Sequence, residues 1–333
     1  MTGISVAVAG FGWMGRVHTQ AYLRLRQHYP QFPVIRLAAV ADEVPGRGEE
    51  AADQFGFEAF TQDWRDIAAD PAIDAVSITA PNFLHREIGV AMAEAGKHIW
   101  IEKPVGLSTE DAKAVAAAVS KAGVQSTVGF NYRNAPAVTL AKSLIDSGEL
   151  GTITHSRFRF LSDYAAHPEG ALSWRYERER GGAGVLGDLA SHGIDLIRHL
   201  LGDVDALVAD TAIFIPERAR PSAATSGHAR ASGGEMGLSR TKTSSAHCCA
   251  SARVAGAPSK HAASPWESRT ITDSRFTARK VPCSGTTAGW VNWAPASARS
   301  TRTNPSRRFW SAPSPVSSAA SSLARPTRWA TTT

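Results

Sequence analysis

Short apolar runs alternate with stretches of helical period along the first part of the chain. Ile4–Ala9 is brief, apolar and rich in β-branched residues, the pattern of a strand buried on both faces of a parallel sheet. A helix is predicted over about 14–27, closed by Pro30 and Pro33, and a second strand over 34–41 that ends at Asp42. A helical stretch at 51–55, a strand at 57–60, a helical turn at 64–69 and a strand at 75–79 follow. Next come a helix at 85–95 closed by Gly96, a strand at 98–101, an alanine-rich helix at 109–122 with Ser108 as N-cap, and a last strand at 124–129. Strands spaced by helices of this length imply an α/β fold, a doubly wound parallel sheet of Rossmann type over residues 1–125.

The pattern then changes. Residues 126–237 read as the start of a second α/β domain with an open sheet. Positions 153–161 set Phe158 and Phe160 against Arg157 and Arg159, 188–201 is an amphipathic helix, and 206–215 is a further strand. Such a sheet needs several more strands to cover its helices. After residue 237 neither period is sustained: 238–333 holds 18 Ser and 13 Thr but only seven Ile, Leu or Val. Read literally, this is a basic, low-complexity, mostly disordered tail. Five of the nine Trp fall in it, which is out of character for such a segment.

Charge divides the chain at the same place. The net charge of +6 combines 22 Lys+Arg against 28 Asp+Glu over residues 1–237 with 14 against two over 238–333. All three Cys lie in the second part. A shifted reading frame accounts for the change. Joining the last base of each codon to the first two of the next turns TCN serine codons into Phe, Leu, Ile or Val, and Cys and Trp codons into Leu, Met or Val. With one set of codons, residues 239–251 become VENEDFVSALLRF, an amphipathic strand. The expectation is that the tail from about Gly237 is out-of-frame translation, so its basic charge is poor evidence for an anionic partner.

The chemistry sits at strand ends. Gly10, Phe11, Gly12, Trp13, Met14 and Gly15 form a G-x-G-x-x-G run between the first strand and a helix. There Gly10 permits the tight turn, Gly12 lets backbone approach a pyrophosphate, and Gly15 allows close helix–strand packing, with phosphate on the helix N-terminus. Asp42 suits the adenosine ribose hydroxyls and would repel a 2′-phosphate, favouring NAD over NADP. Two more marked segments fall at carboxyl ends of strands: Thr79, Ala80, Pro81, Asn82 and His85 in TAPNFLH, and Glu102-Lys103-Pro104. A lysine there could bind a substrate hydroxyl and share in proton transfer.

GFGWMG, TAPNFLH, EKP and GGAGVLGDLASHGIDLIRHLLG, in that order over residues 4–237, resemble the Gfo/Idh/MocA oxidoreductases, and FNYR and SWRY resemble inositol-type and levoglucosan-type members. The resemblance implies a NAD(P)-dependent sugar or polyol dehydrogenase. It implies Lys103 as the catalytic lysine, and Asp188 and His192 as the D-x-x-x-H pair beside the nicotinamide, His192 being the general acid/base. Tyr132, Arg133, Trp174 and Arg175 are candidate substrate or cofactor contacts, Asp195 lies one turn beyond His192, and His155 is a further candidate. No metal-ligand cluster is read in residues 1–237. A competing reading is a dinucleotide-binding module whose basic tail binds nucleic acid. No apolar run is long enough for a membrane span and no leader is read, so a cytoplasmic protein is expected. A family-type homo-oligomer is expected only with the frame restored.

Overall fold

The computed structural model describes residues 3–251 except 152, 154, 155, 157, 159, 161, 163–165, 222–229, 232 and 242–246. The first part builds β1 (Ile4–Ala9), α1 (Trp13–His28), β2 (Ile35–Ala41), α2 (Arg47–Phe55), β3 (Ala59–Thr61), α3 (Trp64–Ala69), β4 (Ala75–Ile78), α4 (His85–Glu94), β5 (His98–Ile101), α5 (Thr109–Ala122) and β6 (Ser126–Val128). They form one six-stranded sheet in the order β3-β2-β1-β4-β5-β6, every neighbouring pair parallel. The strand order reverses between β1 and β4, and a ligand crevice opens outside the strand ends at such a switch point.

Both faces of this sheet are covered. On one, Ala7, Ala9, Val76, Ile78, Ile99 and Ile101 pack with Ile67, Ile88, Met92 and Val115 of the helices. On the other, Val8, Leu37 and Val40 pack with Phe11, Ala51 and Phe57. Each fully buried aliphatic side chain contributes about 1.5–3 kcal/mol, so this core holds the strand ends, and the site on them, in fixed register. The predicted elements of this part all appear, with ends displaced by a few residues. The largest displacement is α2, which starts at Arg47 rather than 51, because Gly46 takes φ +79° and turns the chain straight into the helix.

Beyond β6 the structure departs further from expectation. α6 (Pro136–Asp146), with proline at its first position, has no counterpart in the sequence reading. A short α7 (Arg178–Gly181) precedes a π-helical turn, Leu186–Ala190, which runs into α8 (Ser191–Leu201). The helix expected over 188–201 is thus two kinds of helix joined at Ser191, and Asp188 stands in the wider turn. Strand β7 (Ala206–Asp210) ends short of residue 215. β8 (Glu217–Ala219) pairs antiparallel with β9 (Met236–Leu238), and β7 pairs antiparallel with β10 (His247–Ser251). That last strand lies at the start of the segment read as a mostly disordered tail. Pairing uses backbone groups, and the open edge of β7 offers them whatever the side chains are. His155 and much of 153–161 lie outside the described residues. No helix among the described residues is long and apolar enough to cross a membrane.

Candidate functional site

The glycine run does what its spacing predicts. Gly10 takes φ +94°, and a Cβ there would overlap the backbone of Ala80. A Cβ on Gly15 would overlap the carbonyl of Gly10, so α1 sits directly on the turn. Gly12, the N-cap of α1, has no atom within 4 Å of its Cβ position. A bare backbone edge at a helix start is the cradle a pyrophosphate needs, and the residues present fit a dinucleotide. Trp13 beside it is largely exposed and Met14 half-buried. Asp42 stands at the end of β2 with 7% exposure. Its carboxylate accepts the amides of Phe11 at 2.7 Å and Val44 at 3.0 Å, tying the glycine turn to the second strand. Arg47 adds an ion pair at 3.1 Å.

The two loops beyond β4 and β5 are bridged from below. His85, 1% exposed, has Nδ1 2.7 Å from the Pro104 carbonyl and Nε2 2.8 Å from the Ala80 carbonyl, so its ring spans both loops rather than facing the cleft. Two carbonyls ask for two N–H groups and a neutral ring has one. Burial nevertheless dominates and pushes its pKa down. The Thr79 hydroxyl donates to the Gly10 carbonyl at 2.5 Å, and Pro81 and Asn82 line the half-buried turn between them. Glu102 is also buried. Oε1 meets His18 Nε2 at 3.0 Å, Oε2 accepts the Lys103 amide at 3.2 Å, and His18 Nδ1 lies 3.0 Å from Ser77 Oγ, which Tyr22 also contacts at 2.6 Å. A Cβ on Gly129 would overlap the Glu102 carboxylate. The sequence reading missed His18. Its one signal was a histidine one turn past Gly15 on an otherwise buried helix face.

Lys103 leaves this scaffold and meets the second part of the chain. Its Nζ donates to Asp188 Oδ1 at 2.8 Å and to the Asp188 carbonyl at 2.9 Å. Arg175 Nη1 approaches the other carboxylate oxygen of Asp188 at 3.5 Å, and its guanidinium lies over the Trp174 ring at 4.6 Å. Trp174 in turn packs edge-on to Phe83 of the TAPNFLH turn. The glycines before Asp188 serve chain-on-chain approach: a Cβ on Gly181 would overlap the carbonyls of Trp174 and Arg175, and one on Gly187 would touch Pro104.

His192 is 7% exposed and its Nδ1 is buried with no hydrogen-bond partner among the described residues. Its ring is walled by Tyr132 at 4.7 Å, Phe130 at 5.8 Å and Phe160 at 5.9 Å, all edge-on. Desolvation first, and then the Lys103 ammonium, lower its pKa to about 4 against the opposing pull of Asp188, Glu102 and Asp195. Arg133 is engaged by Asp195. Its guanidinium makes a forked pair with Asp195, Nε–Oδ2 at 2.7 Å, which raises the Arg133 pKa and clips the turn after β6 to α8. The structure thus brings Lys103, Asp188, His192, Arg175, Trp174 and Tyr132 to one place, and puts Glu102, His85 and Arg133 in its supports. Among the described residues, His192 Nδ1 and Arg175 Nε are buried polar atoms without a hydrogen-bond partner.

Comparison with known proteins gives the same outline. A family model described as "Oxidoreductase family, NAD-binding Rossmann fold" matches residues 4–130, and the GFO/IDH/MocA C-terminal domain matches 138–257. The levoglucosan dehydrogenase of Pseudarthrobacter phenanthrenivorans is 42% identical over 238 residues, which is 71% of this chain and 60% of that one. The scyllo-inositol 2-dehydrogenase (NAD(+)) of Bacillus subtilis is 34% identical over 60% of this chain and 54% of its own length. Among solved structures, a levoglucosan dehydrogenase in complex with NADH and L-sorbose superposes with a TM-score of 0.67 at 39% identity, covering 72% of this chain and 62% of that one. The apo form of a levoglucosan dehydrogenase gives 0.68 at 40% identity, over 73% and 62%. The chain therefore spans about 60% of the length of these relatives. With a six-stranded Rossmann sheet, a glycine cradle and two matched regions in order, it belongs to the Gfo/Idh/MocA family of oxidoreductases and carries that family's NAD-binding domain.

Proposed function

We propose that this chain is the cofactor-binding and catalytic part of an NAD-dependent dehydrogenase acting on a secondary alcohol of a small sugar or cyclic polyol. One observation carries the reading. Lys103, held at the end of β5 on the cofactor crevice, reaches Asp188 at 2.8 Å, four residues before a buried, neutral His192. NAD, when bound on the Gly12 edge, supplies the hydride acceptor at its nicotinamide C4. Lys103 holds the substrate hydroxyl oxygen by an N–H donor and offsets negative charge on it as the proton leaves. His192 takes that proton on a ring nitrogen, while the carbon–hydrogen bond gives up its electron pair as hydride and the C–O bond becomes a carbonyl. With a pKa near 4 before substrate binds, the imidazole is unprotonated at neutral pH and ready to act as base. Asp188 aims Lys103, with Arg175 balancing its charge. The wall of Phe130, Tyr132 and Phe160 suits the C–H face of a ring-shaped polyol.

Gly10, Phe11, Gly12, Trp13, Met14, Gly15, Asp42, Thr79, Ala80, Pro81 and Asn82 are proposed to line the cofactor, and Trp174 and Arg175 its nicotinamide end. The relatives are dehydrogenases of levoglucosan and inositol, which favours this reading over a nucleic-acid module with a basic tail. The test is NADH formation from a panel of inositols and anhydro-sugars, using this chain and a frame-restored version. Turnover of at least one cyclic polyol by the restored chain is expected. NADH binding without turnover of any secondary alcohol would overturn the assignment.

A further inference from the structure

Lys103 stands just past β5, between two neighbours that buried histidines hold. On its far side His85 meets the Pro104 carbonyl at 2.7 Å. On its near side the sheet holds Glu102, whose amide donates to the Ile78 carbonyl at 2.9 Å. The next amide, that of Lys103, donates to the Glu102 carboxylate, with Oε2 at 3.2 Å. The backbone that carries the lysine is therefore tied to a side chain, and His18 ties that side chain in turn, with Nε2 3.0 Å from Oε1. A carboxylate accepts, so Nε2 carries the hydrogen. Tyr22 keeps its proton, because burial pushes its pKa up, and donates to Ser77 Oγ at 2.6 Å. Ser77 then donates to His18 Nδ1 at 3.0 Å. The hydrogens run one way, from Tyr22 to Glu102, and fix which ring nitrogen faces the carboxylate. His18 is 4% exposed, Ser77 0% and Glu102 7%, and the Trp100 ring lies 4.7 Å from that of His18. A carboxylate this deep keeps its charge only while donors surround it. Without His18 it takes a proton or turns out of its niche beside Gly129. Either way its bond to the Lys103 amide weakens.

We propose that His18 is a positioning residue: through Glu102 it holds the Lys103 backbone so that the ammonium stays on Asp188, 2.8 Å away. Ser77 and Tyr22 act behind it by setting its tautomer. The role rests on Lys103 being the lysine of the proposed reaction.

The test follows single lysines of the 333-residue chain by trace acetylation at mildly alkaline pH, read by mass spectrometry. Lys97 is the internal control: it is 4% exposed, its Nζ donates to the Asp70 carbonyl, and it precedes the other end of β5. His18→Leu should raise the Lys103 rate by roughly three- to tenfold, the size of one hydrogen bond, and leave Lys97 unchanged. His18→Gln, which keeps an N–H for Oε1, should return the rate most of the way to that of the parent. Ser77→Ala should raise it by about twofold, and Tyr22→Phe by less. In a Glu102→Gln background His18→Leu should add little, because the two residues act as one unit. An unchanged Lys103 rate in His18→Leu, with Lys97 still protected, overturns the role. So does an equal rise at Lys97 and Lys103, which would mean a loosened domain. Should His18→Leu not fold, Ser77→Ala decides: a rise at Lys103 alone upholds the role, and no rise overturns it. Acetylation needs no cofactor, so the anchor stands or falls apart from the proposed reaction, and slowing of Lys103 acetylation by added NADH tests the cofactor crevice by itself.

Discussion

The two parts of the chain bury their apolar surface to different extents. Up to β6, a six-stranded sheet has a buried cluster on each face, from Ala7, Ile78 and Met92 on one side to Val8, Phe11 and Phe57 on the other. Beyond β6, the buried cluster among the described residues is the pair Leu172 and Tyr176. Strand residues there face outward: Leu207 of β7 and Met236 and Leu238 of β9 are each more than half exposed. The first part has a buried core on both faces of its sheet. Asp188 and His192, on the π turn and α8, are tied in by Lys103 and by the Arg133–Asp195 fork. Cofactor binding and catalysis should therefore separate when the second part is disturbed.

The largest expected effect comes from supplying what the second part lacks. If the tail after Gly237 is out of frame, restoring the frame should replace the exposed faces of β7 and β9 with a covered sheet. It should raise turnover by at least about a hundredfold, a catalytic constellation being sensitive to displacements of an ångström. NADH affinity should change far less. Resequencing the gene from the codons for Glu235 onward checks the premise. The family match runs past Gly237 to residue 257, and β10 forms where the alternative reading of 239–251 also gives a strand, so sequencing should extend past that point. An intact frame would remove the premise, and equal turnover by the two chains would erase the contrast between the parts.

Within a competent chain, the next largest effect is Lys103→Ala. Loss of the hydroxyl donor and of the charge beside the reacting oxygen should lower kcat by roughly 10²–10⁴. Retained NADH binding in the same variant separates a lost proton path from a lost fold. A fall of less than about threefold would move the chemistry off Lys103.

Much of this was legible from the sequence because the first part obeys local rules. The parallel strands are continuous apolar runs, Gly10 and Gly15 are required by backbone overlap, and Lys103 and Asp188, both named from the family resemblance, lie in hydrogen-bond contact. The supports were not legible. Glu102 and His18 are 84 positions apart, and only the folded sheet puts the first turns of α1 over the end of β5. Arg133 read as a substrate contact because an arginine in a loop gives no sign of a carboxylate 62 positions away. The π turn was hidden for another reason: a D-x-x-x-H spacing is read on an α-helix, and nothing in LGDLA marks the wider one.

A pH scan sharpens the contrast at the junction. The folded His192 titrates near 4 and an unfolded histidine near about 6.5, so the unfolded chain binds the proton first as pH falls. The stability that neutral His192 contributes is complete above about pH 6.5 and is lost progressively toward pH 4, on the order of 1–3 kcal/mol. His85 shifts in the same direction, so the comparison must be made against His192→Gln. Between pH 7.5 and 5 that variant should lose less Tm than the parent. Equal losses would mean that His192 is not held neutral by its aromatic wall.

The smallest effect belongs to the first part alone. Ser108 caps α5: its hydroxyl accepts the Asp111 amide at 3.1 Å, and the Asp111 carboxylate returns to the Ser108 amide at 3.2 Å and the Leu107 amide at 2.9 Å. Leu107 packs close to Gly182, so this cap sits where the two parts touch. Ser108→Ala should cost about 1 kcal/mol, because one orphan amide of the first helical turn loses its acceptor. Asp111 keeps its own bonds to Leu107 and Ser108, so the contact with Gly182 should persist and turnover should be nearly unchanged. If Ser108→Ala lowered kcat as strongly as it lowered stability, α5 would have to be counted with the catalytic half, and the separation of the two parts would fail at that helix.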